Sequence, residues 1–313
     1  MKKIAVILCI ALFCLSALAC GGSSSHSGGG TYNSPTPSAE STEEEYVVSS
    51  SPETIFTEYE DGCKLTAWSS EDLSAESIII PAEWSGLKVI AIGEGVFRGF
   101  TELKSIEIPD TVSLIEKNAF RSCSSLNNVV IPDSVVTIMG GTFRDCTSLT
   151  QISFGSGITS IEGECFMGCS SLTEFTVPAT VTEIRGNCFE DCTSLKTINM
   201  HNGITAIHGN AFRNCASLTT VTLPEGITEI RGNCFENCTS LTEIHIPDGV
   251  TRIAAHAFRG CTSLSNVHIP DSVNEIGSSA FRDCGSLTSV EVPRDASIDE
   301  RAFKDCPANI TKK

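Results

Sequence analysis

The chain has 313 residues, 41% of them apolar, and a formal net charge of −17 with histidine counted neutral. That length allows one large domain or two ordinary ones. The acidity argues against nucleic acid and anionic lipid headgroups as partners, because like charges repel.

The chain opens MKKIAVILCIALFCLSALAC. Two lysines precede an apolar run that is too short to span a bilayer and ends in small residues, so residues 1–19 read as an export signal. The ending Leu18-Ala19-Cys20 resembles a bacterial lipoprotein processing site. That resemblance implies cleavage before Cys20, lipidation of its sulfur and stable membrane anchoring by the acyl chains. Ordinary signal peptidase cleavage after Ala19 is the alternative. Residues 20–50 are rich in Gly and Ser, then Pro, then Glu. They carry no apolar face and read as a flexible tether, with His26 as spacer.

The rest, residues 51–313, reads as one repeat domain. Residues 54–72 form its N-terminal cap. Within it, IFTEYEDGCKLTAWS predicts two strands around the turn signal Asp61-Gly62. Ile78-Ile79-Ile80-Pro81 is the expected first ladder strand, and about ten turns follow, up to residue 306. Phenylalanine recurs every 23 residues from Phe97 through Phe120 and Phe143 to Phe281, then at Phe303 after 22. Cysteine keeps the same step from Cys123 to Cys284, with Cys306 after 22, and leucine keeps it from Leu103 to Leu287. A fixed period of this size with Leu-x-x-Ile-x-Ile at its centre marks a leucine-rich-repeat solenoid. The unit SLTEIHIPDGVTRIAAHAFRGC, residues 240–261, resembles the BspA-type (treponemal) leucine-rich repeat, and the resemblance extends over roughly residues 54–306.

In Leu241-Thr242-Glu243-Ile244-His245-Ile246, alternation points Ile244 and Ile246 inward and Glu243 and His245 outward. Pro247 cannot donate to a ladder and ends the strand. Val250 to Ile253 forms a second short extended piece, and His256-Ala257-Phe258-Arg259 reads as one helical turn. One turn alone cannot bury its apolar residues, but stacked turns can. The first turn is longer than the others between Pro81 and Phe97, and Phe100 takes its cysteine slot. Thr311-Lys312-Lys313 ends the chain with charges that discourage edge-to-edge stacking.

Sixteen cysteines in an exported chain ordinarily mean disulfides. Here nine of them fall on one inward repeat slot, with parallel side chains that make poor bridges, so the expectation is a ladder of free thiols. Cys165, Cys188 and Cys234 take the slot that elsewhere holds Ala119, Ala211 and Ala257. That slot asks for smallness rather than sulfur. Cys63 has no assignable partner.

The outward strand positions are left to carry function, on the concave face expected of a solenoid. The expected ligand-binding residues are Glu174, Asn199, Thr222, Glu243, His245, Asn266, His268 and Glu291. His245, His268 and Glu291 also form a weak candidate for a metal site. His201, His208 and His256 stand elsewhere in the repeat. No phosphate loop, nucleophile elbow or zinc-protease motif occurs, so neither a catalytic residue nor a cofactor is expected.

Resemblance to BspA-type proteins implies adhesion to host or bacterial macromolecules. The expected partner is an extracellular or cell-surface protein. Membrane contact is expected through the lipid anchor only, at the cell surface, and on the outer membrane in a Gram-negative cell. The alternatives are a structural or self-associating envelope lipoprotein and a metal-binding surface protein.

Overall fold

The computed structural model describes residues 54–69 and 73–313. The export signal of residues 1–19, Cys20, the tether and residues 70–72 of the cap lie outside the described residues. The remainder is a β-solenoid whose turns repeat the period of the sequence.

Each turn contributes two short strands. The first lies on the Leu-x-x-Ile-x-Ile segment and the second on the segment ending in Ile or Leu-Ile. The first strands stack in parallel and in register. Ser77–Ile79, Ser105–Glu107, Asn128–Ile131 and Gln151–Phe154 form one four-stranded sheet. Thr220–Thr222, Glu243–His245 and Asn266–His268 form another. The second strands stack in the same way, for example Arg252–Ile253 between Glu229–Ile230 and Glu275–Ile276.

Period-two alternation fixes what each first strand buries. Ile244 is 3% exposed, while its neighbours Glu243 and His245 face solvent. The second strand sends Ile253 inward, fully buried. A slip of one residue would put every isoleucine on the wet face, so register is strongly specified.

The phenylalanines form the spine. From Phe97 to Phe303 neighbouring rings stack with centroids 5.1–5.8 Å apart and planes within 2–12° of parallel. Offset stacking of this kind adds to the burial energy of the rings. Trp68 closes the stack at the cap, 5.4 Å from Phe97, and Phe100 packs edge-on to Phe97 at 82°. Phe100 thus fills, with an aromatic ring, the slot that later turns give to cysteine.

The segment around each phenylalanine is not a helical turn, as the sequence suggested, but a pair of tight turns. From Phe97 to Phe281 the residues two before and two after the ring are left-handed. Asn118 and Ser122 flank Phe120, Asn187 and Asp191 flank Phe189, and Asn210 and Asn214 flank Phe212, all with φ near 60°. Asn, Asp and Gly tolerate this region best. The arrangement frees backbone donors for the next turn, which a helix would use internally. Asn118 N donates to Gly140 O, Phe120 N to Thr142 O and Ser122 N to Arg144 O, at 2.8–3.1 Å. The turn segment is therefore a third hydrogen-bonded stack.

The described cysteines are free thiols and, except for half-buried Cys306, all are buried. From Cys123 to Cys284 each thiol of the 23-residue series donates to the phenylalanine carbonyl of the previous turn, as Cys123 Sγ does to Phe97 O at 3.0 Å and Cys192 Sγ to Phe166 O at 3.1 Å, whereas Cys306 Sγ donates to Leu287 O at 3.5 Å. Burial pushes the Cys123 and Cys284 thiols up to about 12, which keeps both protonated. Cys63 is buried in the cap, with its thiol 3.8 Å from Leu87 O.

The cap is the antiparallel hairpin of Ile55–Tyr59 and Gly62–Ala67, turning through left-handed Glu60. Its second strand pairs in parallel with Leu87–Ile92, so the hairpin extends the sheet of second strands. The extra length of the first turn is a small hairpin, Glu83–Trp84 against Leu87–Lys88, reversed by left-handed Ser85 and Gly86. The repeat does not stop at residue 306. Asn309–Lys312 forms a further strand in parallel register with Ser289–Val292. The terminal lysines are tied back, Lys312 Nζ to Arg294 O at 2.9 Å and Lys313 Nζ to Asp271 at 2.8 Å.

Candidate functional site

The exposed face of the first strands is the surface that the fold leaves open. Each strand presents two outward residues, and stacking lines them up in two columns. Glu174 pairs with Thr197 and Thr176 with Asn199 in one sheet. Thr220, Glu243 and Asn266 follow one another in the first column of the next sheet, and Thr222, His245 and His268 in its second. Every one of these residues is exposed.

The columns bond internally. Asn199 Nδ2 donates to Glu174 Oε1 at 2.8 Å and to Thr176 Oγ1 at 3.1 Å. This orients the Glu174 carboxylate along the face, and its burial costs nothing because it stays in water. His245 and His268 stack face to face, with ring centroids 5.0 Å apart and planes 8° from parallel. Their partners in register put Glu243 beside Asn266. Glu291 stands outward on Ser289–Val292, a strand that pairs with Asn309–Lys312 and not with the histidine strands.

This arrangement does not gather the weak metal candidate. Parallel imidazoles direct their nitrogens along similar lines rather than toward a common point. Among the described residues no group of three His, Cys, Asp or Glu side chains is placed to hold a metal ion. Two other histidines are used elsewhere. His201 bonds Pro178 O through Nε2 at 3.0 Å and accepts from Gly203 N at 3.1 Å. His208 lies 3.3 Å from Glu183.

A second set of charged residues, which the sequence reading missed, runs along the turn segments, one position after Phe189, Phe212, Phe235 and Phe258. There Arg213 bridges Glu190 and Glu236 at 3.1 Å each, and Arg259 reaches Glu236 at 3.4 Å. Both glutamates are only 6% exposed. Burial raises the Glu190 carboxyl above its ordinary value, against the pull of Arg213. The alternation Glu, Arg, Glu, Arg at Glu190, Arg213, Glu236 and Arg259 was available as the sequence signal. It is a structural ladder, since its charges are satisfied by one another.

The strand face thus offers rows of hydroxyl, amide, imidazole and carboxylate groups at the spacing of a β ladder, about 4.8 Å. Such a face supports many weak polar contacts with an extended partner.

Comparison with known proteins places this architecture. The family model for the BspA type leucine rich repeat region matches residues 70–196 and 183–310. Among solved structures, a leucine rich cell surface protein from Faecalibacterium prausnitzii is 26% identical, with a TM-score of 0.55 over 82% of this chain and 85% of that one. The pneumococcal vaccine antigen PcpA is 21% identical, with a TM-score of 0.53 over 76% of this chain and 68% of that one, and shares the fold. No curated protein matches the chain. With repeat signature, stacked architecture and family match in agreement over most of its length, the chain belongs to the BspA-type leucine-rich-repeat family.

Proposed function

We propose that the chain is a lipid-anchored bacterial surface protein that binds a protein partner through the exposed face of its first strands. The observation that carries this reading is the two-column polar face, exposed on every first strand from Glu174 to Glu291. Solenoids use such extended faces for recognition. Likeness to a leucine rich cell surface protein of F. prausnitzii supports the location. The export signal and Leu18-Ala19-Cys20 support the anchor.

Glu174, Asn199, Thr222, Glu243, His245, Asn266, His268 and Glu291 are the proposed contact residues. A polar face of this kind gives specificity through many individually modest hydrogen bonds. The test is binding of the full chain to a panel of extracellular-matrix and bacterial surface proteins. Palmitate labelling of wild type and Cys20→Ser tests the anchor: label on the wild type alone supports it, and equal label on both overturns it.

A further inference from the structure

Val130 is the most exposed large apolar side chain among the described residues, at 61%. It stands in an outward column that is polar or charged on every later strand from Ser153 to Glu291, and it is registered with Ser153 on the next strand. Beside it lies a groove of about 500 Å³.

Two departures from the repeat build this groove. One is Val130 itself. The other is the loop Gly155-Ser156-Gly157, which replaces the usual proline turn. Ser156 donates to Asp133 Oδ1 through its N at 2.6 Å and through its Oγ at 3.1 Å. A Cβ on Gly155 would collide with the Asp133 backbone, and one on Gly157 would overlap the Asp133 carbonyl. Glycine at both positions lets the loop close onto Asp133. Phe154 fills the strand end beneath, its ring edge-on to Phe175.

The groove's charge is one-sided. Glu107, Asp110 and Asp133 line it, and no lysine or arginine does. Both Ser156 bonds fall on one oxygen of Asp133, and neither Glu107 nor Asp110 belongs to an ion pair among the described residues. Apart from Ser105 and Ser153, the rest of the lining is apolar, including Ile108, Val130 and Phe154. A surface combining an apolar floor with carboxylates fits a side chain that has an aliphatic stem and a cationic head.

We propose that this groove receives a lysine or arginine side chain from an extended protein partner, the stem lying on Val130 and the cation meeting the carboxylates of Glu107, Asp110 and Asp133. This inference rests on the strand-face reading and names the chemistry of the partner there. A bare metal ion fits less well, because no three such ligands are gathered. A second copy of the chain brings a net charge of −17 to an acidic groove.

The experiment uses the full chain and a fluorescent peptide of alternating lysine and leucine, followed by anisotropy at low salt. A second peptide has glutamine in place of every lysine. Glu107→Gln/Asp110→Asn removes groove charge, and Glu225→Gln/Asp248→Asn removes the same charge from exposed positions several turns away. The groove variant should bind the lysine peptide at least about tenfold more weakly, Val130→Thr severalfold more weakly, and the distant variant like wild type. Equal loss in both charge variants would reduce the effect to overall acidity and overturn the proposal. So would equal binding of the two peptides, or no binding by wild type. If binding to a panel protein is lost in Glu174→Arg/Asn199→Arg/Thr222→Arg but not in Glu107→Gln/Asp110→Asn, the strand-face reading survives and this one does not.

Discussion

Cys146 Sγ donates to the carbonyl oxygen of Phe120, one turn earlier, at 3.1 Å. That same oxygen already accepts the N–H of Cys123 at 3.2 Å. The thiol fills the second lone pair of a carbonyl that no water reaches. Repetition of this contact explains why the slot holds cysteine: it needs a small apolar body and a weak donor together.

That explanation separates two substitutions. Cys146→Ala removes both the donor and some volume, and should cost about 1–2 kcal/mol. Cys146→Ser keeps a donor, so it should be no less stable than Cys146→Ala in chemical denaturation. A serine variant less stable than the alanine variant by about 1 kcal/mol or more would show that the slot is purely apolar.

The buried thiols should be chemically silent in the folded protein. Burial pushes Cys188 up to about 12, so almost no thiolate exists near neutrality. Treatment with a thiol reagent at mildly alkaline pH should label Cys306 first among the described cysteines, because it alone is half-buried. The ladder cysteines should react only after unfolding. Rapid labelling of Cys192 in the native protein would contradict the packing.

Removing one ring from the spine should be expensive. Phe189 touches Phe166 and Phe212 face to face and Phe175 edge-on. Phe189→Ala should cost about 3–5 kcal/mol in a thermal or denaturant melt. A negligible loss would remove the phenylalanine stack from its central place.

Glu190 gives a pH dependence with a definite sign. Its carboxyl is raised above 4.5 in the folded state, with desolvation as the main cause. The folded state therefore holds its proton more tightly than the unfolded state does. Stability from this group is greatest at acid pH and falls as pH rises through the window above 4.5. Glu190→Gln keeps an acceptor for Arg213 and has no charge to desolvate. Relative to wild type, the variant should gain stability as pH rises through that window, as read from melting temperatures. A variant that instead loses stability with rising pH would mean that the pairing with Arg213 outweighs desolvation.

Much of the fold was legible in the sequence because the repeat records its own packing. Phe, Leu and Cys at fixed spacing announced the core, and alternation around Ile244 announced which residues face water. The turn segments were misjudged. Ala-Phe-Arg resembles helix, but the structure is set by the residues two before and two after Phe, where Asn187, Asp191, Asn210 and Asn214 already signalled left-handed backbone. The strand Asn309–Lys312 was missed because its side chains are exposed and carry no alternation of buried residues. Of the candidate site, exposure was predictable from period two. Orientation was not: only coordinates show that Asn199 bonds Glu174 and that His245 and His268 stack rather than converge. The groove beside Val130 depends on Gly155 and Gly157 closing onto Asp133, a contact between turns that spacing alone does not reveal.

The most direct test of the strand face as a binding surface compares the full chain with its Glu174→Arg/Asn199→Arg/Thr222→Arg variant. Both are measured against the same panel of matrix and bacterial surface proteins, with circular dichroism to confirm folding. All three positions are exposed, so the variant should fold. Saturable binding by the wild type, lost or weakened at least about tenfold in the folded variant, is the predicted result. Undiminished binding by the variant would place recognition on another face, and no binding by either protein would contradict the binding function itself.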